Sequence, residues 1–153
     1  MSFEVLKTWL EDNKITEIEC LVPDMAGIAR GKITPAKKYV REESMRLPEA
    51  LFAQTVTGDW PDDEYEEIID PAEIDMMVLP DAGTVRFVPW AVEPTAQIIH
   101  DCFYRDGSPV PLAPRNVLKR VLKLFADEGW KPVVAPELEF FLTDINKDPD
   151  YPL

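Results

Sequence analysis

The feature that most constrains this chain is a change of style at Asp106-Gly107-Ser108-Pro109, a turn sequence of the kind that separates domains. Before it, short apolar stretches alternate with turns. After it come one helical pattern, one strand pattern and a polar, proline-containing end at Asp148-Pro149-Asp150-Tyr151-Pro152-Leu153. One helix and one strand cannot enclose a core, so the second part reads as the opening of a domain whose remainder lies elsewhere.

In the first part, Phe3, Leu6, Trp9 and Leu10 recur at helical spacing and predict a short amphipathic helix ending near Asn13. The period then changes. Ile18, Cys20 and Val22 alternate with Glu17 and Glu19, and Asp24-Met25-Ala26-Gly27 turns into Ile28-Ala29-Arg30-Gly31-Lys32-Ile33, which predicts a β-hairpin. Thr34-Pro35 opens a second short helix through Tyr39 and Val40, since proline at the first helical position loses no hydrogen bond there. The stretch from Leu51 to Asp63 passes from strand-like to loop-like, and the loop is long enough to suspect function. Three more strands are predicted at Ile74–Leu79, Thr84–Pro89 and Thr95–Phe103. A mostly antiparallel sheet with a helix or two packed on it is an α+β layout. Beyond the turn, Pro114 opens a helix whose residues Val117, Val121 and Leu124, with Leu118, Leu122 and Phe125, form one broad apolar face, and Gly129 ends it in a left-handed cap. A strand is predicted over Pro132–Thr143.

Charge and composition narrow the function classes. The 153 residues are 46% hydrophobic, enough for a core, and 16 basic against 29 acidic residues leave a net charge of −13. Such a chain repels nucleic-acid phosphates and anionic membranes, so neither is expected as a partner. Cys20 and Cys102 sit in apolar, strand-like surroundings without metal or redox spacing, which fits a reducing, cytoplasmic compartment. The first residues show no basic leader or cleavage site, and no apolar run approaches the ~20 residues of a membrane span; a soluble, unexported protein is expected.

The chemistry-bearing residues are few. In Val133-Val134-Ala135-Pro136-Glu137-Leu138-Glu139-Phe140-Phe141-Leu142, strand alternation places Glu137 and Glu139 on one face and Leu138, Phe140 and Leu142 on the other. Carboxylates two residues apart in a strand lie roughly 7 Å apart along the backbone, close enough to hold one hard cation or to divide two, Mg²⁺ or Mn²⁺ being preferred by oxygen ligands. A half-exposed sheet with a solvated face yields the same pattern and is its commoner source. His100, the single histidine, lacks a partner histidine and reads as structural. Arg30 and Lys32 beside Gly31 can receive an anion or simply end a hairpin in solvated charge, and the loop around Gly58, Asp59 and Trp60 can be a lid or an ordinary excursion. No phosphate-binding glycine loop, Ser-His-Asp set or zinc spacing occurs.

Taken together and in order, four blocks resemble the glutamine synthetase family. Asp24 to Lys32 is similar to the family's D-x-x-G-x-x-R-G-K segment, Pro80-Asp81-Ala82-Gly83-Thr84 to its P-D-x-x-T segment, Gly107 to Arg115 to G-x-P-x-x-x-x-P-R, and Pro136 to Leu142 to the strand P-E-x-E-F-F-L. The resemblance implies a β-grasp-like mixed sheet with short helices in residues 1–105, and in 106–153 the incomplete helix–strand start of a catalytic domain. It implies that Glu137 and Glu139 are ligands of Mg²⁺ or Mn²⁺, that ATP and glutamate are substrates, and that the protein is a homo-oligomer, a ring dodecamer, with pockets between adjacent subunits. The segment Phe52 to Trp60 resembles the loop that one protomer lends its neighbour's pocket, putting Ala53, Val56, Gly58, Asp59 and Trp60 there.

That segment departs from the family in one respect. Members using ammonia carry an aspartate and a serine where this chain has Ala53 and Val56. Exchanging an anion and a hydroxyl for two apolar groups removes cation stabilisation and leaves surface suited to a carbon chain. An amine or polyamine ligase, of the γ-glutamylpolyamine or γ-glutamylputrescine synthetase branch, is therefore expected ahead of an ammonia-using enzyme; a non-catalytic interaction module and a synthetase-like assembly protein stay open. The 153 residues alone are expected to be inactive. Because Phe140, Phe141 and Leu142 would leave an apolar strand edge bare, the part after about Arg105 is expected to pair with another copy or to be poorly ordered.

Overall fold

The structure, a computed structural model, describes residues 1–61, 69 and 75–145. Its first helix, α1 (Phe3–Asp12), begins where Ser2 accepts the Val5 N–H and ends at Asn13, burying Leu6 and Leu10. Strands β1 (Glu17–Pro23) and β2 (Ala29–Pro35) form the antiparallel hairpin, with Ile18, Cys20 and Val22 of β1 facing the core. Burying each such side chain is worth about 1.5–3 kcal/mol, which is why the alternation decides the register. Gly31 is required by close approach: a Cβ there would stand 1.7 Å from the Cys20 carbonyl oxygen.

Helix α2 (Ala36–Glu42) follows β2 directly, then β3 (Met45–Pro48), a 3₁₀ turn (Glu49–Ala53), β4 (Asp75–Pro80), a second 3₁₀ turn (Ala82–Thr84), the two-residue β5 (Arg86–Phe87), β6 (Thr95–Phe103) and α3 (Pro114–Asp127). The strand order is β2-β1-β6-β4-β3, with β5 also on β6. The β1–β6 pairing is parallel and the others are antiparallel, so the sheet is mixed, as β-grasp-like folds require. The fold is α+β: a mixed, nearly closed sheet with three helices, ending in a short segment that leads out of it. One core cluster lies under α1 and α2 around Leu6, Ile18, Tyr39 and Ile98; a second gathers Leu51, Phe52, Met76, Val78 and Cys102 at the other end.

Several expectations are corrected. The start of the Leu51–Asp63 stretch is a 3₁₀ turn rather than strand-like. The predicted strand Thr84–Pro89 shrinks to Arg86–Phe87, because Asp81 and Thr84 close a turn: Asp81 accepts the Gly83 N–H and Thr84 Oγ1 donates to the Asp81 carbonyl. Residue 74 of the predicted Ile74–Leu79 strand lies outside the described residues; from Asp75 the strand is present. The predicted strand Pro132–Thr143 takes part in no ladder and is exposed from Val133 onward. A strand is stabilised by its neighbours, and among the described residues this one has none.

The expectation that the part after about Arg105 pairs with another copy or is poorly ordered is corrected for its first residues. Pro109 bridges to Phe103, Val110 and Ala113 enter the second core cluster, and buried Asn116 donates to the carbonyls of Cys102 and Val110 at 2.7 and 3.0 Å. Beyond Asn116 the apolar side chains of α3, Val117, Leu118, Val121, Leu122 and Leu124, are exposed.

Candidate functional site

Residues 54–60 form a tight, internally bonded loop following the 3₁₀ turn. The Gly58 N–H donates to the Thr55 carbonyl at 3.0 Å and the Thr55 N–H to the Asp59 carbonyl at 2.9 Å. Gly58 takes φ +89°, a left-handed conformation that glycine adopts at no steric cost. Asp59 accepts from the Thr57 hydroxyl at 2.6 Å, so its carboxylate helps hold the turn. Val56 stands at the tip, 65% exposed, while Phe52 is buried at the base and Ala53 is half-buried. Behind the loop a cavity of about 250 Å³ is lined by Leu47, Pro48, Leu51, Gln54 and Trp60, with Arg30 and Gly31 on the hairpin side.

The hairpin turn reaches this loop through Arg30. Asp24 Oδ1 accepts the Ala26 and Ile28 N–H groups at 2.9 and 2.8 Å, and Oδ2 pairs with Arg30 Nε at 2.6 Å. Burial by itself would raise the Asp24 carboxyl, but the Arg30 guanidinium and the Ile28 and Ala26 amides outweigh it and hold the group below the usual carboxylate range. Arg30 Nη2 donates to the Thr55 carbonyl at 2.7 Å. Arg30 is thus held between the hairpin's own carboxylate and the loop, its side chain 19% exposed, while Lys32 donates to the Arg46 carbonyl at 2.9 Å.

The second pair of sequence blocks also meets. Arg115, at the start of α3, donates through Nε to Asp101 at 2.9 Å and through Nη2 to Asp81 at 2.5 Å, and Lys119 also pairs with Asp101. Burial raises the Asp101 carboxyl, yet Lys119 and Arg115 prevail and lower it. This cluster fixes the angle at which α3 leaves the sheet. No spacing rule could have joined Asp81 to Arg115, since the two are far apart in the chain.

His100 is satisfied as a structural residue. Its Nδ1 lies 3.0 Å from the Ile98 carbonyl, which can only accept, so Nδ1 carries the proton and Nε2 accepts the Tyr39 hydroxyl at 3.0 Å. Burial pushes its pKa down to about 4. Cys20 and Cys102 are buried free thiols, pushed up by burial to about 11 and about 12, which keeps them unreactive.

Glu137 and Glu139 lie exposed in the segment after α3, distant in sequence from the 54–60 loop. Their oxygen donors suit a hard divalent cation, but two exposed carboxylates form only part of a coordination shell. Among the described residues no group of three or more His, Cys, Asp or Glu is placed to hold an ion. Also among the described residues, no helix is long and apolar enough to cross a membrane.

Residues 111–152 match the family model for the glutamine synthetase catalytic domain. The chain is 31% identical to γ-glutamylputrescine synthetase of Escherichia coli over 94% of its own length and 30% of that protein, and 28% identical to glutamate–isopropylamine ligase of a Pseudomonas species over 90% and 30%. It is 33% identical to the glutamine synthetase of Rhizobium meliloti over 90% of its length and 28% of that protein. It therefore spans about 30% of the length of these curated relatives. A solved GmaS/ADP complex shares the fold, with a TM-score of 0.56 at 24% identity, covering 80% of this chain and 26% of that one. On the catalytic-domain match and these relatives together, the chain belongs to the glutamine synthetase family.

Proposed function

We propose that the chain is the N-terminal part of an ATP-dependent glutamate–amine ligase, with residues 1–105 as its β-grasp domain and 106–153 opening the catalytic domain. The observation carrying the acceptor preference is the apolar Val56, 65% exposed at the tip of the 54–60 loop, with Ala53 at the loop's base, which together offer contact surface to a carbon chain rather than hydrogen-bond partners to ammonia. Relatives that join glutamate to isopropylamine and to putrescine support an amine or polyamine acceptor, and the family itself implies ATP and a divalent metal.

In such a reaction a γ-carboxylate oxygen of glutamate attacks the γ-phosphorus of ATP and ADP departs. The amine nitrogen then attacks the γ-carbonyl carbon, phosphate leaves, and the nitrogen gives up a proton. Glu137 and Glu139 would contribute carboxylate oxygens to the divalent site, Mg²⁺ or Mn²⁺, which when filled neutralises charge on the transferring phosphoryl group. The loop holding Ala53, Val56, Gly58, Asp59 and Trp60 would close a neighbouring protomer's pocket in a cytoplasmic homo-oligomeric ring, a dodecamer by family resemblance. The 153-residue chain by itself would be inactive.

The test is a panel of ammonia, monoamines and polyamines offered to the full-length protein with ATP and glutamate. Phosphate release that depends on a carbon-bearing amine supports the reading. Release driven by ammonia alone overturns the acceptor preference, and none with any acceptor overturns the ligase.

A further inference from the structure

Resting on the loop reading above, we infer that Arg30 is a positioning residue that sets the tip of the 54–60 loop for the acceptor amine. Its guanidinium is committed on two sides, to the Asp24 carboxylate at 2.6 Å and to the Thr55 carbonyl at 2.7 Å. The same Thr55 oxygen accepts the Gly58 N–H at 3.0 Å, closing the turn whose second residue is Val56. One backbone oxygen therefore receives both the turn's own bond and the clasp from the hairpin. Asp24 is equally fixed, its side chain 1% exposed and its other oxygen held by the Ala26 and Ile28 amides.

These bonds run unbroken from the β1–β2 turn through Asp24, Arg30 and Thr55 to Val56. An ion pair serving only the hairpin would have no need of the loop's carbonyl. The guanidinium also reaches along the loop as far as Gly58, where a Cβ would stand 3.4 Å from Nη1. Lysine presents one compact ammonium and cannot span a carboxylate and a carbonyl in the fork that arginine supplies. The hairpin motif and the acceptor loop are thus one mechanical unit, although 25 residues separate Arg30 from Thr55.

The experiment compares the full-length protein with Arg30→Lys and Arg30→Ala, by amide exchange at Gly58 and Asp59 and by steady-state kinetics. The expected result is faster exchange at both amides and a KM for the amine raised about tenfold, since sub-ångström displacement of a positioning element costs on the order of 10- to 100-fold. Glutamate-dependent phosphorylation, followed as ADP formed in a first turnover without amine, should stay within about twofold, because its groups lie on the other protomer. Millimolar methylguanidinium should restore both readouts in Arg30→Ala, which a general loss of stability would not allow. Unchanged exchange overturns the clasp. Faster exchange with an unchanged amine KM overturns the positioning role. If Arg30→Ala fails to fold, the near-isosteric Asp24→Asn carries the same comparison. A full-length protein without amine-dependent turnover would overturn the functional reading, while exchange would still judge the clasp separately.

Discussion

Replacing His100 with glutamine should flatten the response of stability to mild acid. His100 is 1% exposed and bonded through both ring nitrogens, and burial sets its pKa at about 4 in the fold against about 6.5 in an unfolded chain. Between those values the unfolded chain binds a proton that the folded one refuses, so stability falls as pH falls. The contribution is whole above about pH 6.5 and is lost down to about pH 4, with a slope of about 1.4 kcal/mol per pH unit and a total of about 3 kcal/mol. The groups around the ring do not cancel this: the Ile98 and Leu21 carbonyls and then Asp101 raise the histidine and Arg115 lowers it, burial prevailing over them, and Tyr39 stays neutral because burial raises its hydroxyl. The depressed carboxyls Asp24 and Asp101 lose their contribution only below the ordinary carboxylate value of 3.8, outside this window. Urea unfolding of the 153-residue chain, followed by tryptophan fluorescence at several pH values from 7 to 4.5, measures the slope. Glutamine can accept the Tyr39 hydroxyl in the place of Nε2 without titrating, so, whatever uniform stability it loses at Nδ1, only the wild type should carry the excess slope. With a urea m-value of about 1–3 kcal/mol per M, the wild-type midpoint should move by about 1 M or more over that range beyond any shift in His100→Gln. Parallel slopes in the two proteins would refute the reasoning, as would a histidine titrating near 6.5 by NMR.

Gly31→Ala should cost about 3 kcal/mol or more, or prevent folding, because its Cβ would meet the Cys20 carbonyl oxygen at 1.7 Å and the hairpin must open; denaturant midpoints would show it. Arg115→Met should destabilise by about 2 kcal/mol by leaving Asp81 unpaired and Asp101 to Lys119 alone, and salt should narrow the difference from wild type. In the full-length protein, Ala53→Asp with Val56→Ser should shift preference from carbon-bearing amines toward ammonia by about tenfold or more in the ratio of kcat/KM, measured in the amine panel. Glu137→Gln should raise the Mg²⁺ concentration for half-maximal turnover by about tenfold or more while leaving the unfolding midpoint of the 153-residue chain unchanged, since Glu137 is exposed there.

Local signals in the sequence determined much of this protein. The alternation of Ile18, Cys20 and Val22 foretells β1, the run Thr95–Phe103 appears as β6 over those residues, and Pro114 opens α3. Each is a periodicity or a backbone restriction that acts within a few residues, and the order of the four sequence blocks already pointed to the glutamine synthetase family. Tertiary structure decided what depends on a distant partner. The four-residue β3 has too few residues to show a period and exists because Met45–Pro48 finds β4. Arg30 was read as solvated or anion-facing without a named partner, and folding supplies two, Asp24 and Thr55, on its two sides. Arg115 anchors α3 only because Asp101 and Asp81, 14 and 34 residues away, converge on it. Residues 132–143 have strand propensity but no ladder, for the same physical reason: a periodic pattern states which face can be buried, and only an adjoining surface decides whether it is.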